Sequence, residues 1–195
     1  MEDIGDIVVL SLRDRKDRRD RCDEIFKSHC ITDYRYHLTD KDEKDVYGNA
    51  SRDFIEMLKT FNGITIFFED DFELAKNYET IFDIAWRDLP EDFDLLYLGG
   101  NLRSPAEKVT SNLLKLNGAW TAHALIFSEQ FTKYVINNYR YPECGVFDDW
   151  LCRIATERSF YMTYPMISWQ RPCYSDFQNS RVAYNLFSNE YYLQL

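Results

Sequence analysis

The run Ile64–Leu74, I-T-I-F-F-E-D-D-F-E-L, is the strongest constraint on how this chain can fold. An apolar β-type segment there ends abruptly in three consecutive carboxylates, Glu69, Asp70 and Asp71. Gly63 punctuates its start, and Ile64, Ile66, Phe67 and Phe68 are β-branched or aromatic, so the pattern predicts a short buried strand. Side chains alternate between the faces of a strand. If the extended geometry persists to the end, Glu69 and Asp71 share one face and Asp70 takes the other. Like charges held that close repel, and one titrates upward unless a cation intervenes. A hard divalent ion, bound partly through water and partly through a substrate phosphate, would relieve the repulsion. Taken alone, the stretch weighs this reading evenly against an acidic strand end that opens onto a solvated loop.

The flanking patterns predict further strands and helices in alternation. Ile7–Leu12 reads as a first strand, buried on both faces, and is followed by a charged helix between Arg13 and Lys27. Asp14 is its expected cap, and Asp14/Arg18, Asp17/Arg21 and Asp23/Lys27 are expected i,i+4 pairs. Arg13 and Arg15 lie just past a strand's C-terminal end, where ligands gather in open α/β sheets. Tyr34, Tyr36 and Leu38 suggest a second strand, and Ser51 a helix start with Phe54, Ile55, Leu58 and Phe61 on one face. Tyr78, Ile81, Phe82, Ala85, Trp86 and Leu89 form a helical stripe stopped by Pro90. Leu95–Leu98 is a strand closed by Gly99-Gly100, and 101–112 reads as a surface loop. Leu113–Leu116, Ala122–Phe127, Phe160–Tyr164 and Ile167–Gln170 are further strands. Ser128 caps one late helix, and Asp148-Asp149 opens another. This alternation predicts an α/β fold in one domain spanning 1–195, with a mostly parallel central sheet flanked by helices.

Composition narrows the function classes. With 45% hydrophobic and 16% aromatic residues the chain is not a disordered one. A net charge of −10 repels nucleic acid phosphates and gives no support to a polybasic membrane anchor. The N-terminus is charged from Glu2 onward, and no apolar run approaches membrane-spanning length, so neither a signal peptide nor a transmembrane segment is expected. Five cysteines without a C-x-x-C pair point to reduced thiols and a cytoplasmic location, of the cell or of an infected host cell.

Two acidic pairs can carry chemistry: Glu69/Asp71 at a strand end and Asp148/Asp149 at a helix start. Paired carboxylates serve glycoside hydrolysis or a metal-assisted displacement in which one pair holds the ion and the other supplies a base. For Asp148 and Asp149, capping of a helix is the competing role. His123 reads as a satisfied core histidine. The tryptophans read as core or sugar-stacking residues.

Seven segments, Ser11–Arg18, Gly48–Arg52, Glu69-Asp70-Asp71, Phe93–Gly99, Ala122–Ser128, Asp148-Asp149 and Ser175-Asp176-Phe177, in this order resemble glycosyltransferase family 25, the lipopolysaccharide and procollagen-type sugar transferases with a GT-A fold. A family pattern like N-L-x-R-R-x-D-R is met by Ser11–Arg18, which keeps Leu12, Arg15, Asp17 and Arg18 but has Ser11 for asparagine and Asp14 for a basic residue. Its G-C-x-x-S-H start corresponds to Gly48–Arg52, with Arg52 for histidine, and its E-D-D to Glu69-Asp70-Asp71. Its W-D-L-L-Y-L-G strand is Phe93–Gly99, and its T-H-A-Y-L-I-S strand is Ala122–Ser128. A D-D helix start and an S-D-I-like segment follow as Asp148-Asp149 and Ser175-Asp176-Phe177. The resemblance covers about Ile7 to Gln178, leaving 179–195 as a C-terminal tail.

The resemblance implies transfer of a sugar, with inversion, from a nucleotide-diphosphate donor (a UDP-sugar first) to a glycan or other hydroxyl acceptor. It implies Mn²⁺ or Mg²⁺ held by Asp71 and Glu69, with Asp176 completing the shell. Donor contacts fall to Ser11, Leu12, Arg15, Arg52 and Asp70, and the general base to Asp148 or Asp149. A metal-dependent hydrolase of nucleotide sugars or glycans, and a non-catalytic nucleotide-sugar-binding module, are the competing classes. A DNA-modifying sugar transferase is a further subtype.

Overall fold

The computed structural model describes residues 4–176 and 180–183. Phe177, Gln178 and most of the 179–195 tail lie outside the described residues. The elements in order are β1 (Ile4–Leu12), α1 (Lys16–Ser28), β2 (Arg35–Thr39), α2 (Val46–Leu58), β3 (Ile64–Glu69), β4 (Phe72–Leu74) and α3 (Tyr78–Asp88). Short strands follow as β5 (Leu95–Tyr97), β6 (Asn101–Leu102), β7 (Glu107–Lys108), β8 (Leu113–Lys115), β9 (Ala119–Trp120) and β10 (Ala124–Phe127). Then come α4 (Glu129–Asn138), α5 (Phe147–Ile154), β11 (Phe160–Thr163), β12 (Ser168–Gln170), β13 (Cys173–Ser175) and β14 (Ser180–Val182).

An eight-stranded sheet in the order β2-β1-β3-β10-β5-β11-β8-β7 forms the middle layer. Strands β1–β2, β1–β3 and β5–β11 pair in parallel, whereas β10 and β8 run against both of their neighbours. The sheet is therefore mixed: six of its eight strands run the same way, although only three of the seven pairings are parallel. Consecutive residues feed opposite faces, as strand geometry requires. Val8 and Phe67 pack with Phe54, Met57 and Leu58 of α2 and with Phe131 and Val135 of α4. Val9, Ile66 and Phe68 pack on the other face with Cys22, Ile25 and Phe26 of α1 and with Ile81, Phe82 and Ala85 of α3. Each face thus carries its own layer of helices.

Several local expectations give way to longer-range pairing. Helix α2 begins at Val46, five residues before Ser51, because Asp45 caps it by accepting the Gly48 amide at 3.1 Å. The acidic run does not stay extended: Asp70-Asp71 is a turn, and the chain reverses into β4, which pairs antiparallel with β12. Segment 101–112 is not loop throughout, since β6 pairs with β9 and β7 with β8. At the start of α1 the cap position is Arg15, without a side-chain bond, in place of Asp14. Among the described residues no helix is long and apolar enough to cross a membrane.

Candidate functional site

From β1 the chain steps through α1 to β2 on one side, then through α2 to β3 on the other. The carboxyl ends of β1 and β3 therefore mark the point where strand order reverses, the usual place for a ligand crevice in an open α/β sheet. Ser11 and Leu12 end β1, and Glu69 ends β3. Ser11 Oγ donates to Asp70 Oδ2 at 2.6 Å, and Arg18 Nη1 of α1 donates to Asp70 Oδ1 at 2.7 Å, so both oxygens of this buried carboxylate are engaged. Arg18 Nη2 also donates to the Tyr174 carbonyl, which ties the late hairpin β13–β14 to α1.

Glu69 and Asp71 face another way. Gln170 Nε2, presented by β12, donates to Glu69 Oε2 at 2.9 Å and to Asp71 Oδ1 at 3.4 Å. The Cys173 thiol donates to Asp71 Oδ2 at 3.4 Å, and Arg18 lies 3.8 Å from the same oxygen. Asp148, in the first turn of α5, accepts the Thr121 amide at 3.0 Å through Oδ2. Thr121 is left-handed (φ 68°), a conformation that a β-branched residue holds only when its surroundings impose it. Asp149 Oδ1 instead takes the indole N–H of Trp120, which is 41% exposed.

These groups border a cavity of about 370 Å³. Its wall includes seven carboxylates, among them Glu69, Asp70, Asp71, Asp148 and Asp176, against two cations, Arg18 and Lys41. Phe54, Phe67, Phe147 and Val46 form an apolar part of the wall. Burial, reinforced by the charges of Asp71, Asp148 and Asp70, holds the Glu69 carboxyl well above the usual range. Burial also raises Asp148 against the pull of the Thr121 and Ala122 amides, and raises Asp70 despite Arg18 and Ser11. Burial lowers His123 to about 4, so the imidazole is neutral; its Nδ1 contacts the Thr121 carbonyl at 3.1 Å.

The structure brings Ser11, Leu12, Glu69, Asp70, Asp71, Asp148 and Asp176 to one wall. Arg15 stands behind it, bonded to Asp17 at 3.1 Å and to Asp176 at 2.6 Å. Arg52 is exposed and paired with Asp45 at 3.0 Å, away from the wall, and Asp149 is likewise off it. Asp176 is ringed by Arg15 and, at 3.8 Å each, by Arg18 and Lys41, surroundings that suit an anion better than a metal ligand. Gln170 and Lys41 had no signal in the sequence, since neither sits in a pattern that separates it from an ordinary surface residue. Arg18 did have one: it stands on the buried stripe of α1 four residues before Cys22, a placement at odds with a solvated ion pair.

The donor set fits a hard divalent cation in one specific manner. Two carboxylates close enough to share one amide, Glu69 and Asp71, can supply two ligands, with phosphate oxygens and water as the rest. Among the described residues there is no closed cage of three or more acidic, histidine or cysteine side chains.

No protein-family model matches the chain, and none of the curated proteins matches it. Among solved structures the fold is similar to that of A197 from STIV, at 12% identity and a TM-score of 0.52, over 86% of each chain. It is also similar to a UDP-glucose pyrophosphorylase complexed with UDP-glucose, at 7% identity and a TM-score of 0.51, over 97% of this chain and 78% of that one. A galactosyltransferase in complex with manganese, UDP-Gal and xylobiose matches at a TM-score of 0.48 and 9% identity, over 98% and 80% of the two chains. At these identities the likeness is one of fold.

Proposed function

We propose that the chain is a metal-dependent glycosyltransferase that moves a sugar from a nucleoside-diphosphate donor, a UDP-sugar first, to an acceptor hydroxyl with inversion. The observation that carries this reading is the acidic cavity at the β1/β3 switch point, with Glu69 and Asp71 on one part of its wall and Asp148 on another. Seven carboxylates against two cations repel a diphosphate in part, so one that enters without a metal binds weakly. A divalent cation, Mn²⁺ or Mg²⁺, held by Glu69 and Asp71 would reverse that repulsion and supply Lewis-acid stabilisation of the charge on the leaving diphosphate. Gln170 keeps the two carboxylates side by side. The ends of β1 and the first turns of α2 wall the nucleoside, with Phe54 and Phe67 as apolar surface. Asp148, raised by burial, is the base that accepts the acceptor's hydroxyl proton, and the Thr121 amide fixes its orientation.

The test is a thermal-shift panel of nucleotide sugars with and without Mn²⁺. A ligand at about 100 times its dissociation constant adds about 2.7 kcal/mol to the native state. One nucleotide sugar should stabilise the protein far more with the metal than without it, and Glu69→Gln and Asp71→Asn should lose that metal-dependent gain while still melting cooperatively. Absence of a shift with every nucleotide sugar would remove the reading. Product analysis with and without a glycan acceptor then separates transfer from hydrolysis.

A further inference from the structure

Three cationic side chains from separate parts of the fold converge on one carboxylate. Arg15 Nη1 reaches Asp176 Oδ2 at 2.6 Å, Arg18 Nη2 lies 3.8 Å from the same oxygen, and Lys41 Nζ lies 3.8 Å from Oδ1. Arg15 precedes α1, Arg18 lies within it, and Lys41 follows β2. Asp176 directly follows β13 and lines the cavity. Lys41, also in the wall, makes no other ion pair among the described residues. A carboxylate and a phosphate present similar oxygens to a guanidinium fork, so a site that holds one suits the other. Strands β13 and β14 form a two-stranded sheet of their own, and the Arg18 contact to the Tyr174 carbonyl ties it to α1.

We propose that Arg15, Arg18 and Lys41 form a phosphate subsite of the donor cavity that Asp176 occupies from within the chain. The hairpin is then a removable plug: a diphosphate entering the cavity displaces Asp176, and Asp176 weakens diphosphate binding by the fraction of time it is in place. The inference rests on the donor reading above for its biological ligand, but its chemistry is that of an anion alone, and its test uses inorganic pyrophosphate.

Pyrophosphate binding is measured by calorimetry, without divalent metal, on the wild-type chain, Asp176→Asn, Asp17→Asn and Lys41→Ala. A plug seated nine-tenths of the time predicts that Asp176→Asn tightens binding about tenfold. Asp17 also pairs with Arg15 but lies outside the cavity wall, so Asp17→Asn should change binding by less than about twofold if general charge is not the cause. Lys41→Ala should weaken binding. In parallel, pyrophosphate should speed tryptic cleavage of the wild-type protein at Arg181, an exposed residue of the plug hairpin. Equal tightening in both aspartate variants, no change in Asp176→Asn, or cleavage at Arg181 unaffected by pyrophosphate overturns the proposal. A chain that responds in this way yet transfers no sugar keeps the subsite and loses the transferase reading. A chain that transfers sugar with a flat pyrophosphate response does the reverse.

Discussion

Arg18 and Asp70, 52 residues apart in sequence, are joined by a 2.7 Å bond between Nη1 and Oδ1, with 10% and 7% of their side chains exposed. That bond fastens α1 to the turn after β3 and takes Asp70 out of play as a free carboxylate. Removing one partner of a buried ion pair strands the other and costs about 3–5 kcal/mol. Arg18→Met should therefore destabilise the fold by that order in urea titrations. Adding Asp70→Asn should recover part of the loss, because the stranded charge is gone. Additive losses in the double variant would mean that the pair is not coupled.

Glu69 should make stability depend on pH with a defined sign. Its folded pKa is raised, chiefly by burial and then by Asp71 and Asp148, so between its ordinary and raised values the native chain holds a proton that the unfolded chain has released. Over that interval stability rises as pH falls, and above the raised value the buried charge is a standing cost. Glu69→Gln should flatten this part of the stability–pH curve and raise the melting temperature at pH 7.5. A variant curve parallel to the wild-type curve would place the titration elsewhere.

The two neighbouring aspartates of α5 should separate in kinetics. Asp148 borders the cavity, whereas Asp149 holds Trp120 outside it. Loss of a general base lowers turnover by about 10²- to 10⁴-fold, so single-turnover transfer should fall by that much in Asp148→Asn. Asp149→Asn should stay within about tenfold of wild type, below that range. Near-normal turnover in Asp148→Asn with donor still bound moves the base to another residue. Thr121→Gly, which relieves the left-handed backbone beside Asp148, should be neutral or stabilising by up to about 1 kcal/mol.

Gly99 should tolerate no side chain. A Cβ there would overlap the Ser168 carbonyl, a backbone atom of β12 that cannot swing aside. Gly99→Ala should cost at least about 1–3 kcal/mol, as overpacking does. Because β12 also carries Gln170, the same variant should blunt the metal-dependent thermal shift. A variant with wild-type stability would show that β12 has room to move.

What the chain determines by itself is local and periodic. The apolar run of β3 ending in carboxylates, the Tyr78–Asp88 helix stopped before Pro90, and the Ser128 cap of α4, whose Oγ accepts the Phe131 amide at 3.1 Å, are all legible from residue types and spacing. So is the alternation of strand and helix that yields a sheet with most of its strands running the same way. Partners are another matter, because periodicity reports which face is buried and not what lies against it. Local pairing places Arg18 with Asp14, yet the fold gives Arg18 to Asp70, Arg21 to Glu73 at 2.8 Å, and Asp23 to the hydroxyls of Tyr34 and Tyr36. An exposed i,i+4 pair is worth a few tenths of a kcal/mol, too little to hold Arg18 away from its buried bond to Asp70. The same holds for the acidic triplet. Its residues are plain in the sequence, but β12 and α1 arrive from 101 and 52 residues away to set Glu69 beside Gln170 and Asp70 against Arg18. Only that tertiary assembly decided which carboxylates face the cavity free of a strong cationic partner and which are already spent on the fold.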